Sequence, residues 1–137
     1  MNQLKNNEIY NNLIESIKIV ETLRGQNGCK WDKEQTHKSL RTNILEEAYE
    51  TVDAIDSNNT LNLKEELGDV LLQVLLHSQI AKDENEFCIE DVAKMLNEKL
   101  IRRHPHVFGN VEVKNSDEII KNWEKIKKKK RKTNVNL

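Results

Sequence analysis

EELGDVLLQVLLH, residues 65–77, decides the fold. Val70, Leu71, Leu72, Val74, Leu75 and Leu76 point in every direction around a helix axis. A helix apolar on all sides is expected to be covered nearly all round. Yet Glu66, Asp69, Gln73 and His77 line one narrow stripe of it. Carboxylates are rarely buried without a partner, because removing a charge from water is costly. No basic residue follows on this helix until Lys82, so a divalent cation is the economical counter-charge. The plain alternative is that the end carrying Glu66 and Asp69 is solvated. Gly68, between them, costs about 1 kcal/mol relative to Ala inside a helix. It is expected where another helix approaches closely.

The helix before it, about 39–57, splits on a helical wheel. Ile44, Leu45, Ala48, Tyr49, Val52 and Ile55 fill one arc, and Glu46, Glu47, Glu50 and Asp53 fill the other. An acidic arc is ordinarily a solvated face, but such faces mix signs, and this one has no Lys or Arg. From Thr42 to Ala81 the chain has eight acids and one base, Lys64. Asn58 and Asn59 break the helix, and the next begins at Thr60 or Asn62. Two antiparallel helices joined by so short a turn can set Glu47 and Glu50 opposite Glu66 and Asp69. Four oxygen donors without His or Cys favour Mg²⁺ or Mn²⁺ over Zn²⁺. Mg²⁺ held by carboxylates keeps positions open for water and phosphate oxygens, which points to phosphate-ester or phosphoanhydride chemistry.

Outward from this pair, the sequence reads as all-α. Ile9, Leu13, Ile17 and Val20 recur at helical spacing up to Gly25. Residues 25–36 read as a loop, 89–103 as a helix ended by Pro105, and 104–115 as irregular. A last helix starts at Asn115 or Ser116 and runs into KIKKKKRK, residues 125–132. The expectation is a bundle of about five helices in a single domain over 1–137, with disordered ends at about 1–7 and 131–137.

The composition supports this. One Pro, four Gly and 4% aromatic residues argue against a sandwich or barrel. Only 36% of the 137 residues are hydrophobic and 33% are charged, so one copy would have a thin core and an oligomer is expected. Cys29 and Cys88 form no CxxC pattern or disulfide framework, which fits a reducing compartment. No apolar run approaches the roughly 18–20 residues of a membrane span, and the N-terminus lacks an apolar signal core. The expected location is the cytoplasm, with no membrane partner. Nucleic acid is not expected either, because the basic tail lacks interleaved aromatics.

LEEAYE at 45–50 followed by EELGD at 65–69 resembles the EExxE…ExxD motif of the MazG nucleoside triphosphate pyrophosphohydrolases. CKWDKEQTH at 29–37 and KLIRRHPHVFG at 99–109 resemble two further blocks of that family, in the same order. The resemblance runs from about residue 10 to 127. Lys30 departs from it, standing where the family has Pro, and the chain carries one such domain where many members carry two.

The resemblance implies a dimerising all-α NTP pyrophosphatase fold, with Mg²⁺, or Mn²⁺, on the acidic helices. It implies hydrolysis of nucleoside triphosphates to monophosphate and pyrophosphate. Glu47, Glu50, Glu66 and Asp69 match the metal ligands and catalytic acids. Lys99 and Arg103 match a phosphate-holding pair, and Trp123 and Lys127 a nucleotide-contacting pair. Lys99 and Arg103 are i, i+4, so one helix face aims two cations at one place, and Arg suits bidentate phosphate recognition. A solvated basic face is the alternative. Trp123 lies among Ile119, Ile120 and Ile126 and could equally be core. Glu46 is a spare carboxylate that could orient water. Trp31 is expected to pack around the loop, His77 to be a core histidine, and His104 and His106 to form a turn.

Three functions follow as expectations. The first is Mg²⁺-dependent NTP or dNTP pyrophosphohydrolysis by a homodimer, or by two such dimers paired as a tetramer. The second is a more selective enzyme acting on dUTP, dCTP or phosphoribosyl-ATP. The third is a nucleotide-binding helical dimer without turnover.

Overall fold

A computed structural model describes the backbone of residues 3–135 and the side chains of 7–129. The expectation of disordered ends concerns residues 1–7 and 131–137, all of which except Asn7 lie, wholly or in their side chains, outside this set. Seven helices are described: α1 (Gln3–Leu23), α2 (Lys30–Glu34), α3 (Arg41–Asp56), α4 (Thr60–Asp83), α5 (Ile89–Arg103), α6 (Pro105–Phe108) and α7 (Ser116–Val135). There is no strand among the described residues. The all-α expectation therefore holds. Two of the seven, α2 and α6, are single turns inside segments expected to be irregular.

The chain forms two units, Met1–Ile89 and Glu90–Leu137. In the first, α3 and α4 pair along their length and α1 packs on α4. Asn58, at φ 56°, sets the α3–α4 turn in the left-handed region that Asn tolerates. Its N–H bonds the Ile55 carbonyl at 3.1 Å, and the Asn59 N–H bonds the Ala54 carbonyl at 3.2 Å. This nested pair satisfies the last carbonyls of α3. The Asn59 side chain then accepts from the Asn62 N–H at 3.1 Å and caps α4. Asn85, at φ 58°, ends α4 in the same way, with bonds from Asn85 to Lys82 and from Glu86 to Ala81.

The core is Val20, Leu40, Leu75, Leu76 and Ile80, with Ile17 and Ile89 packed against it. A single copy leaves α4 partly uncovered: Leu75 and Leu76 are buried, but Leu71 and Leu72 are each 38% exposed. Helix α3 turns its acids inward, as the expected opposition of Glu47 and Glu50 to Glu66 and Asp69 requires. Its apolar arc (Ile44, Leu45, Tyr49, Val52 and Ile55) is exposed. Its acidic arc, through half-buried Glu47 and buried Ala54, faces α4. Amphipathicity divides a helix into two faces, and which face turns inward is a tertiary choice. Gly68 departs from expectation, since a Cβ there would meet nothing within 4 Å.

Arg24, at the end of α1, ties down the loop that follows. Its guanidinium donates to the carbonyls of Asp32 and Gln35 and to the Asp83 carboxylate at 3.2 Å. Gly28 is required where that loop passes α1, because a Cβ there would lie 2.2 Å from the Leu23 carbonyl oxygen. In the second unit α5 has no buried residue, and Met95 and Ile101 are exposed.

Candidate metal centre

Each helix of the α3–α4 hairpin contributes two carboxylates at i, i+3 spacing, which places both on one face. Helix α3 supplies Glu47 and Glu50, and α4 supplies Glu66 and Asp69. One oxygen from each lies within 4.8 Å of the others. Glu47, Glu66 and Asp69 are half-buried and Glu50 is exposed. Among the described residues no other group of three or more His, Cys, Asp or Glu side chains converges this way.

The electrostatics of the cluster are unfavourable without a cation. Burial raises Glu47 above the usual carboxylate range, and repulsion from Glu50 and Asp69 raises it further. Glu66 is pushed up to about 7, chiefly by burial, then by a hydrogen bond with Glu50 and by repulsion from Glu50 and Asp69. Glu47 Oε2 and Glu66 Oε2 are both buried with no hydrogen-bond partner. Buried oxygens without donors are costly, and four converging carboxylates are the donor set a hard divalent cation takes. The residues fit such an ion.

An open cleft beside the cluster is lined by Glu50, Asp53, Ala54, Ser57, Asn62 and Glu66. Asp53 and Asn62 were not expected to border the site. The acidic arc gave a signal for Asp53, while Asn62 reads in sequence only as a helix start. Glu46, the spare carboxylate, is exposed on the same helix.

The other candidate residues lie in the second unit. Arg103, at the end of α5, places its guanidinium carbon 5.8 Å from the centre of the Trp123 ring on α7. Its Nε is buried without a partner. Trp123 is 40% exposed rather than core, and its ring centre is 6.1 Å from that of His104. Lys99 and Lys127 are half-buried, and neither they nor Arg103 form an ion pair among the described residues. His104 Nδ1 lies 2.7 Å from the Leu100 carbonyl and His104 precedes the Pro105 that opens α6, so HPH is a turn. Trp31 is 53% exposed and does not pack as expected. His77 is half-buried against a partner that sequence reasoning missed, His37.

Fold and site together define an all-α protein whose paired helices carry a carboxylate quartet suited to a divalent cation. The MazG nucleotide pyrophosphohydrolase domain matches residues 35–108, and the chain belongs to that family. It is 54% identical over 113 residues to the nucleoside triphosphate pyrophosphohydrolase/pyrophosphatase MazG of Thermotoga maritima, covering 82% of this chain and 43% of that protein. It is 51% identical over 125 residues to the uncharacterized protein YabN of Bacillus subtilis, covering 91% of this chain and 26% of that one. The chain thus spans less than half the length of either relative. The crystal structure of a mazG-related protein from Thermotoga maritima superposes with a TM-score of 0.68 at 27% identity, over 83% of this chain and 97% of that chain.

Proposed function

We propose that the chain hydrolyses nucleoside triphosphates to nucleoside monophosphate and pyrophosphate, with Mg²⁺, or Mn²⁺ in its place, held by Glu47, Glu50, Glu66 and Asp69. The observation that carries this reading is the convergence of four carboxylates within 4.8 Å, two of them with unpartnered buried oxygens. Family membership and the likeness to a named nucleoside triphosphate pyrophosphohydrolase support it. When bound, the ion would supply positive charge at the α-phosphate and acidify the attacking water. The chain's own residues do the rest. The quartet fixes the ion through two rigid helices, and Glu46 is the spare carboxylate for orienting water. Lys99 and Arg103 offset charge on the distal phosphates. Trp123, already flanked by Arg103, and Lys127 contact the nucleotide.

We further propose a single functional domain that works as a homodimer, or a pair of dimers. The outward apolar arc of α3 supports it, since contiguous apolar surface of this kind marks interaction sites. Two cysteines that form no disulfide, and the lack among the described residues of any helix long and apolar enough to cross a membrane, are compatible with a cytoplasmic setting. The deciding experiment incubates the chain with a panel of NTPs and dNTPs, with Mg²⁺ or with chelator, and identifies products. Monophosphate plus pyrophosphate, lost on chelation, is expected. Release of orthophosphate instead, or no turnover with tight nucleotide binding, would overturn the reading in favour of another cleavage or of a binding module. Turnover confined to one pyrimidine dNTP or to phosphoribosyl-ATP would mark the selective alternative.

A further inference from the structure

His37 and His77, 40 positions apart in sequence, meet in the first unit. His37 lies in the turn that precedes α3, and His77 sits on α4, two turns beyond the last acid of the quartet. Their Nδ1 atoms are 2.8 Å apart. Their ring planes differ by 6° and their centroids are 5.1 Å apart. With the nitrogens so close, centroids reach that separation only when the rings meet in line, nitrogen to nitrogen. Lone pairs aimed head-on at each other fit one proton between them. They do not fit a metal ion, which needs nitrogens converging from a wider separation.

The turn carrying His37 is built to transmit its position. Thr36 and Ser39 bond reciprocally, the Thr36 N–H to Ser39 Oγ at 2.9 Å and the Ser39 N–H to Thr36 Oγ1 at 3.0 Å. The Leu40 N–H donates to the Thr36 carbonyl at 3.1 Å. Leu40 is fully buried in the core, and Arg41 opens α3. Whatever holds His37 therefore holds the N-terminal end of the helix that carries Glu47 and Glu50.

We propose that His37 and His77 form a one-proton latch that fastens this turn to α4 and positions the start of α3, and that the latch opens when both rings are protonated. With one proton between the Nδ1 atoms, one ring donates and the other accepts. The bond is strongest when the donating ring is cationic. A second proton leaves two N–H groups and two positive charges facing each other, and the bond is lost.

Charged groups on the elements that carry the pair or pack on α4 are engaged with partners of their own. From α3, Glu47 and Glu50 face Glu66 and Asp69. From α1, Glu21 pairs with Lys82 at 2.9 Å and Arg24 with Asp83. At the start of α3, the Arg41 guanidinium donates to the Lys38 carbonyl of the turn. What shifts His77 is burial first and His37 second, and both lower it below its usual 6.5.

The test uses the whole chain, titrated from about pH 8 to about pH 5, the range in which histidine changes charge. Ring nitrogen signals of the histidines are followed by NMR, together with exchange of the Ser39 and Leu40 amides. The expected result is a coupled, two-step titration of the two rings. Protection of the 39 and 40 amides, taken as observed exchange relative to the intrinsic rate at each pH, should fall about fivefold to tenfold as the second proton binds, the size of one net hydrogen bond. His77→Gln, whose amide offers both donor and acceptor, should abolish that change in protection. His37→Phe, at an exposed position, should give low protection at every pH. Independent titration of the two rings, or protection at 39 and 40 that stays flat while both become charged, would overturn the latch. None of these readouts needs turnover. A chain that fails to hydrolyse nucleotides would refute the proposed function and leave the latch standing or falling on its own titration.

Discussion

At the scale of single residues, the site is a cluster of like charges held together by the fold. Glu50 is the most exposed of its four acids, so its carboxylate can be removed with little effect on packing. Glu50→Gln should keep the helical circular dichroism of the parent. It should lower kcat by at least about 100-fold, the scale of losing a key electrostatic group. Retention of more than about a tenth of the activity would count against a ligand role. Glu66 gives a pH signature. Its folded value near 7 lies above the ordinary 4.5, so between these two values the folded state holds more proton than the unfolded chain. Stability of the metal-free protein should therefore fall as pH rises through that window, with added Mg²⁺ reversing the loss. His77 works in the opposite sense. Its value is lowered, so its contribution is fully present above 6.5 and is lost as pH falls below it. Melting curves should therefore be recorded on His77→Gln. A melting temperature that rises with pH in that variant without metal would contradict the assignment for Glu66.

At the scale of elements, capping and packing can be separated by substitution. Gly68 has open space around its missing side chain, so Gly68→Ala should stabilise the chain by about 1 kcal/mol, measured by denaturant unfolding. Asn59→Ala, which removes the α4 cap, should cost about 1 kcal/mol. Destabilisation by Gly68→Ala would show that something approaches that surface after all. Elements are also where the sequence was most and least legible. Helix α5 begins and ends where Ile89 and the Pro105 rule place it. The α3–α4 turn follows from two consecutive Asn residues, one able to take a left-handed φ and one able to cap. Helices α2 and α6 were missed because a single turn carries no periodicity. The quartet was legible because i, i+3 spacing fixes which side chains share a face whatever the tertiary packing. The His37–His77 contact joins positions 40 apart and leaves no local pattern. The inward turn of the α3 acids followed from the short turn that sets them opposite Glu66 and Asp69, and not from the helical wheel of α3 alone. A wheel cannot tell an acidic face turned to solvent from one turned to a cation.

At the scale of the whole molecule, the exposed arc of α3 carries the prediction of assembly. Ile44, Leu45, Tyr49, Val52 and Ile55 are each more than two-fifths exposed, on a helix whose charged face is already used. Sedimentation equilibrium at micromolar concentration should find a dimer or a larger even assembly. Tyr49→Glu combined with Val52→Glu should dissociate it, because like charges would be buried in a two-fold contact that uses the same surface twice. Dissociation makes stability depend on protein concentration, so the melting temperature of the parent should rise with concentration and that of the double variant should not. A monomeric parent with full activity would refute the assembly.

Arg24 has a further consequence, and it concerns attack by proteases. One guanidinium holds two backbone carbonyls of the 25–40 loop and an acid 59 positions away on α4, so the loop is anchored only while α1 and α4 are packed. Lys30 and Lys33, both exposed, sit on the short helix inside that loop and offer trypsin its natural cut. Lysine at position 24 keeps the charge but lacks the planar fork that spans several acceptors at once. Arg24→Lys should therefore be nicked between residues 30 and 34 several-fold faster than the parent, at a temperature where both remain folded. The fragment pattern in a brief digestion then reports how often the first and fourth helices part, on a chain whose global unfolding would be too rare to see.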